Sequence, residues 1–212
     1  MRILFVHGWG YGPKIWDAVI AQLGHDVECT VADLGFSGTQ AIPEEAHFDI
    51  AVGHSLGVLW LLSQEKITWN KLVSICGFSK FSDDKSFPQG VSLRVIERMI
   101  RRLPISAESV LKSFHDLCDP LGQIPFENSE KRDHERLSWG LEFLRDQDAR
   151  TLLNPSNTFV LADKTDLVVP EDMSRAFFGS SNITWADGKG HLVPLTDPKA
   201  CHDIIKRAIL SQ

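Results

Sequence analysis

The chain has 212 residues, 43% hydrophobic and 24% charged, which is enough apolar side chain to bury one core with a small insertion carried on it. A formal charge of −6 speaks against general binding of nucleic acid or anionic membrane, where a basic surface is needed. The four cysteines, Cys29, Cys76, Cys118 and Cys201, form no CxxC or Cys/His ligand spacing, so free thiols in a reducing compartment and no metal are expected.

Residues 3–6 are a run of β-formers that stops at His7-Gly8-Trp9-Gly10. That run is too short for a signal-peptide core, and no segment approaches membrane-spanning length, so a cytoplasmic location is the default expectation. Trp16, Val19, Ile20 and Leu23 then recur at helical spacing, and residues 27–32 are strand-like. Residues 48–52 lead as a strand into Gly53, and residues 56–62 follow as a buried helix. Residues 72–76, 158–162 and 183–186 supply three more strands. A last helix starts near Asp197, with Ala200, Ile204, Ile205 and Ile209 on one face. Continuous apolar strands separated by helices predict an α/β fold, with about six mostly parallel strands covered on both faces. One stretch breaks the alternation. Residues 92–103, 107–117 and 137–144 are amphipathic, punctuated by Asp119-Pro120-Leu121-Gly122 and Ile124-Pro125. Residues 79–155 therefore read as an inserted helical cap, on a core made of residues 1–78 and 156–212.

The chemistry falls on loops that follow strands, where ligands of parallel sheets bind. Gly53-His54-Ser55-Leu56-Gly57 satisfies G-x-S-x-G between a predicted strand and a predicted helix, a turn that projects a serine oxygen above the sheet. The flanking glycines keep side chains out of the neighbouring strand and helix, and the Leu56 amide would donate to a developing oxyanion. A serine hydroxyl needs a positioned imidazole to remove its proton, and the imidazole needs a carboxylate to fix its tautomer. Of eight histidines, His191 alone sits on a loop after the last strand and before the final helix. His54 is expected to pack locally, and His25, His47, His115, His134 and His202 read as surface or cap residues. Two aspartates compete for the acid. Asp163 stands at a strand end, and Asp166 stands three residues on, deeper in the loop from which such acids reach the histidine. Asp166 is favoured, with Asp163 shaping the loop. The turn His7-Gly8-Trp9-Gly10 would supply a second oxyanion amide, that of Trp9, whose ring could also wall an acyl pocket.

HGWG, GHSLG, TDLVVP and GHLVPLTDP together resemble the motifs of α/β-hydrolases, most closely the pimeloyl-acyl carrier protein methyl ester carboxylesterases of biotin synthesis. Residues 140–150 (GLEFLRDQDAR) resemble the return from the cap in that group. The resemblance implies Ser55, Asp166 and His191 as a triad, with Trp9 and Leu56 as oxyanion donors. It implies that Phe114, His115, Asp116, Leu117 and Cys118 touch the acyl chain. It also implies hydrolysis of a carrier-bound methyl ester without a cofactor. The chain departs from the group in starting directly on the HGWG strand. It also lacks the proline usual in a loop like Asp33-Leu34-Gly35-Phe36-Ser37-Gly38, and only about ten residues (39–48), rather than a full helix, lead to the elbow strand.

Arg94, Arg98, Arg101 and Arg102 share one face of a cap helix, with Val91, Val95, Met99 and Leu103 on another. In an acidic protein such a cluster suits an acidic carrier protein, while a solvated face balanced by Glu97 is the plain alternative. A monomer acting on an ester is expected.

Overall fold

Six apolar segments pair into a single parallel sheet in the order β2-β1-β3-β4-β5-β6. The strands are β1 (Arg2–Val6), β2 (Glu28–Ala32), β3 (Ala46–His54), β4 (Ile67–Ile75), β5 (Thr158–Asp163) and β6 (Ile183–Ala186). The computed structural model describes residues 1–44, 46–126, 132–179 and 182–211.

Alternate residues of each strand serve opposite faces of the sheet. Leu4, Val6, Phe48 and Ala51 pack on one side with α2 (Leu56–Leu62), whose residues are all buried. Ile3, Phe5, Ile50 and Val52 pack on the other side with α1 (Asp17–Ile20) and the last helix, Pro198–Leu210. Burial on both faces explains why the strands read as continuous apolar runs rather than alternating ones.

Two predicted elements differ in extent. The helix expected from Trp16 onward is a 3₁₀ turn, Pro13–Trp16, followed by the single turn α1. Strand β4 begins at Ile67, earlier than residue 72, because its polar first half pairs with β3 from Ala46 to Phe48. Backbone pairing there is satisfied without the apolar run that marks the second half.

Between β4 and β5 lie α3 (Leu93–Arg102), α4 (Ala107–Cys118) and α5 (His134–Asp146), and no strand is formed there among the described residues. The ends of this segment meet at a neck, where the Ala149 amide donates to the Ser79 carbonyl (2.8 Å) and the Lys80 ammonium lies 3.4 Å from the Asp148 carboxylate. The buried face of α3 is not the expected one. Ile96 and Leu103 are buried with Met99 and Ile100 packed beside them, an i, i+3, i+4, i+7 stripe, and Val95 faces solvent. After β5 come α6 (Glu171–Phe178), then β6, α7 (Val193–Thr196) and the final helix α8 (Pro198–Leu210).

Strand order reverses between β1 and β3, so the loops after these two strands flank the crevice where an open parallel sheet takes its ligand. Val6 pairs with Gly53, which carries His7-Gly8-Trp9-Gly10 and Gly53-His54-Ser55-Leu56-Gly57 out side by side.

Candidate active site

Ser55 stands between β3 and α2 with φ 55° and ψ −124°, a conformation that L-residues rarely adopt. Its neighbours leave no room for another shape. A Cβ on Gly53 would lie 2.7 Å from the Val58 amide nitrogen, and one on Gly57 would lie 2.4 Å from the Val6 carbonyl oxygen. The Ser55 amide is held by the Ile75 carbonyl of β4 at 3.1 Å. The turn after β1 closes from the other side, where a Cβ on Gly8 would sit 3.0 Å from the Ser55 Cβ. Leu56 is the first residue of α2, so its amide has no carbonyl one turn back to bond.

The histidine and its acid meet on the next strand ends. His191 Nδ1 lies 2.7 Å from Asp166 Oδ2, and both side chains are about 1% exposed. The other carboxylate oxygen, Oδ1, accepts from the amides of Val168 and Val169, each at 2.8 Å. With the carboxylate as acceptor, Nδ1 carries the proton. Nε2 is buried without a hydrogen bond among the described residues. Asp163 is engaged elsewhere: its oxygens accept from the Thr165 amide and hydroxyl and from the amides of Lys189 and Gly190. It ties the loop after β5 to the loop that carries His191.

His54 forms a long-range bond rather than the expected local one. Its Nε2 donates to the His191 carbonyl at 2.9 Å, and the two rings stand 4.9 Å apart. Burial first, and then the neighbouring His191, hold the His54 pKa well below its ordinary value, which leaves it neutral. Cys76, at the end of β4, was singled out only as a free thiol, yet its sulfur lies within 4.8 Å of Asp166 and His191 ligand atoms. These three are the metal-ligating types that cluster among the described residues, and His191 Nδ1 is already committed to Asp166.

Helix α4 lies over the turn after β1. Phe114 meets the Trp9 ring edge-on at 5.0 Å, and the Tyr11 hydroxyl donates to His115 Nδ1 at 2.9 Å. His115 Nε2 donates to the Ile124 carbonyl at 2.9 Å, so both ring nitrogens are engaged. Burial foremost pushes the Tyr11 phenol well above its ordinary range. At its C-terminal end the helix reaches the histidine loop, where the Cys118 carbonyl accepts from the His191 amide at 2.8 Å.

A cleft of about 710 Å³ opens beside this contact, lined by Tyr11, Leu111, Phe114, His115, Ile124 and Leu195 among others. Phe114 and His115 line it. Asp116 and Leu117 do not, because they fall on the outer face of α4, where Asp116 pairs with Lys112 at 2.7 Å. Cys118 is fully buried, and its carbonyl accepts from the histidine loop. The Trp9 ring is buried under α5, its Nε1 donating to the Leu137 carbonyl at 2.9 Å, and it does not line the cleft. Gly140 makes that packing possible, since a Cβ there would come within 2.5 Å of the indole. Ser55 is 4% exposed and is not among the residues that line the cleft.

Arg94, Arg98, Arg101 and Arg102 all face solvent on α3, remote in sequence from the strand-end loops. Arg101 lies 3.8 Å from Glu97.

Comparison with known proteins agrees with this architecture. Three curated relatives are pimeloyl-[acyl-carrier protein] methyl ester esterases of Legionella pneumophila strains. The chain is 27% identical to that of strain Lens over 186 residues, covering 80% of this chain and 77% of the relative. Among solved structures, an esterase from Exiguobacterium antarcticum matches with a TM-score of 0.78 at 18% identity, over 100% of this chain and 92% of that one. A hydrolase from Oleispira antarctica matches with a TM-score of 0.77 at 14% identity, over 100% and 91% of the two chains. No helix among the described residues is long and apolar enough to cross a membrane. The alpha/beta hydrolase family model matches residues 3–204, and the chain belongs to that family.

Proposed function

We propose that the chain is a serine carboxylic ester hydrolase that works through an acyl-enzyme on Ser55. The observation that carries this reading is the buried Asp166–His191 pair at 2.7 Å, on the same sheet edge as the strained serine turn. His191 Nε2 takes the Ser55 proton as the oxygen attacks the ester carbonyl, and Asp166 stabilises the resulting imidazolium through Nδ1. The Val168 and Val169 amides hold the carboxylate in place for that task. The amides of Trp9 and Leu56 receive the negative charge of the tetrahedral intermediate. The imidazolium then protonates the departing alcohol, and water releases the acid by the same steps in reverse order. No cofactor enters this chemistry.

For the substrate, we propose the methyl ester of pimeloyl-acyl carrier protein, with residues 79–155 acting as the cap and α3 as the docking face. The support is the name of the Legionella relatives together with the solvent-facing arginines of an otherwise acidic chain. The Glu97–Arg101 pair favours a second reading, a small-ester hydrolase without a carrier partner, because it neutralises part of that face. Genetic rescue of biotin synthesis in cells lacking their own methyl esterase decides between them. The first reading requires growth without biotin, lost again with Ser55→Ala. Failure to rescue by a chain that still cleaves p-nitrophenyl butyrate would leave the second.

A further inference from the structure

Among the described residues, two that are not glycine have positive φ: Ser55 at 55° and Cys76 at 45°. Cys76 follows directly on β4 and is 1% exposed. Its amide is fixed to the Leu161 carbonyl of β5 at 2.8 Å. The next residue cannot yield either, since a Cβ on Gly77 would lie 2.2 Å from Val58 Cγ2. The backbone therefore presents the Cys76 side chain in one direction. Its sulfur, a carboxylate oxygen of Asp166 and a ring nitrogen of His191 lie within 4.8 Å of one another.

Resting on the assignment of Ser55, Asp166 and His191 as the triad, we propose that Cys76 is a positioning residue, whose thiol steadies the Asp166 carboxylate against His191 Nδ1. Burial first, and then the Asp166 charge, hold its pKa well above the ordinary range. The thiol thus stays protonated, and beside a carboxylate, which only accepts, its role is that of a donor. Two backbone amides hold Oδ1 from the Val168–Val169 side. The thiol stands at the end of β4 beside the same carboxylate and His191. Without it the carboxylate can turn away from the imidazole, and the imidazole spends less time in the tautomer and orientation that accept the serine proton. Cys76 is not among the residues lining the cleft, so the loss belongs in kcat and not in KM.

Three variants of the full chain, Cys76→Ser, Cys76→Ala and Cys76→Gly, separate the thiol from the backbone. Glycine relieves the positive φ while removing the donor; alanine removes the donor and keeps the strain; serine keeps a donor. With p-nitrophenyl butyrate, Cys76→Ala and Cys76→Gly are expected to lower kcat about tenfold with KM within about twofold. Cys76→Ser should recover kcat to within about threefold of wild type. The downfield proton resonance of His191 Nδ1–H should persist in wild type and Cys76→Ser, and move upfield or broaden in the other two. Unchanged kcat in Cys76→Ala and Cys76→Gly overturns the proposal. So does an equal loss in all three variants with the resonance unaltered, which would make residue 76 a space-filling group. If wild type and Ser55→Ala were equally inert, the triad assignment would fall, and the resonance would still decide whether Cys76 holds the Asp166–His191 pair.

Discussion

The loops at the carboxyl ends of the strands and the outer faces of α3 and α4 carry their ion pairs under opposite conditions. In the loops, Ser55, Asp166 and His191 are nearly water-free, and sheet register decides where each one stands. Val6 opposite Gly53 brings Gly8 to Ser55, and Asp163 opposite Ala186 brings the acid loop to the histidine loop. In the helical segment, Lys112–Asp116 and Arg101–Glu97 are exposed i, i+4 pairs, each within a single helix. A buried pair whose carboxylate oxygens are both engaged loses much when one atom is changed, whereas exposed pairs of this kind contribute ~0.3–0.5 kcal/mol. On the proposed reading, the difference separates the groups that would carry the chemistry from those that could tune a partner.

The largest effect should come from Ser55→Ala, which removes the nucleophile without disturbing the packing around the turn. A loss in kcat of about 10⁴-fold or more is expected, with circular dichroism and Tm unchanged. Hydrolysis of p-nitrophenyl butyrate within tenfold of wild type would break the comparison at its centre.

Asp166→Asn follows, because the amide would favour the wrong tautomer of His191. It should cost about 10³- to 10⁴-fold in kcat. Asp163→Asn is expected to behave differently. The group accepts from donors on two loops, so its replacement should destabilise by about 1–3 kcal/mol, read in urea unfolding, with a far smaller loss of kcat. A reversed ranking in kcat would hand the role of acid to Asp163.

The smallest effect belongs to the exposed helix. Charge reversal at Arg98 and Arg101 should lower kcat/KM for a carrier-bound ester about tenfold or less, chiefly through slower association. The loss should shrink as salt rises, because the Debye length falls from ~10 Å at 0.1 M to ~3 Å at 1 M. Turnover of a small methyl ester should not change. Equal losses on both substrates would mean that α3 had been damaged, and no loss on either would leave the arginines as a solvated face.

Much of this division was legible in the sequence, for a physical reason. A strand segment buried on both faces must be apolar, so the apolar runs of the six strands could be read, while the polar first half of β4 could not. The serine turn could be read because its glycines are required sterically by Val58 and Val6. The acid was harder, since Asp163 and Asp166 differ only in which donors surround them, and those donors come from residues 165, 189, 190 and 191. The helical segment was legible as helix but not as orientation. One residue of rotation about the α3 axis exchanges Val95 for Ile96 in the buried stripe. On α4, Asp116 and Leu117 were expected at the acyl chain, yet helical phase turns them outward beside neighbours that turn inward. His54 gave no sign of its bond to His191, 137 residues away, because nothing local distinguishes a paired histidine from a packed one.

The central claim is that Ser55 is a nucleophile activated by the Asp166–His191 pair. Labelling of the full chain by a fluorophosphonate, with the modified peptide mapped by mass spectrometry, tests it most directly. One label per chain is expected, on Ser55, formed at least about 10³-fold more slowly in His191→Ala. A label on another residue, or a rate on Ser55 indifferent to His191, would contradict it.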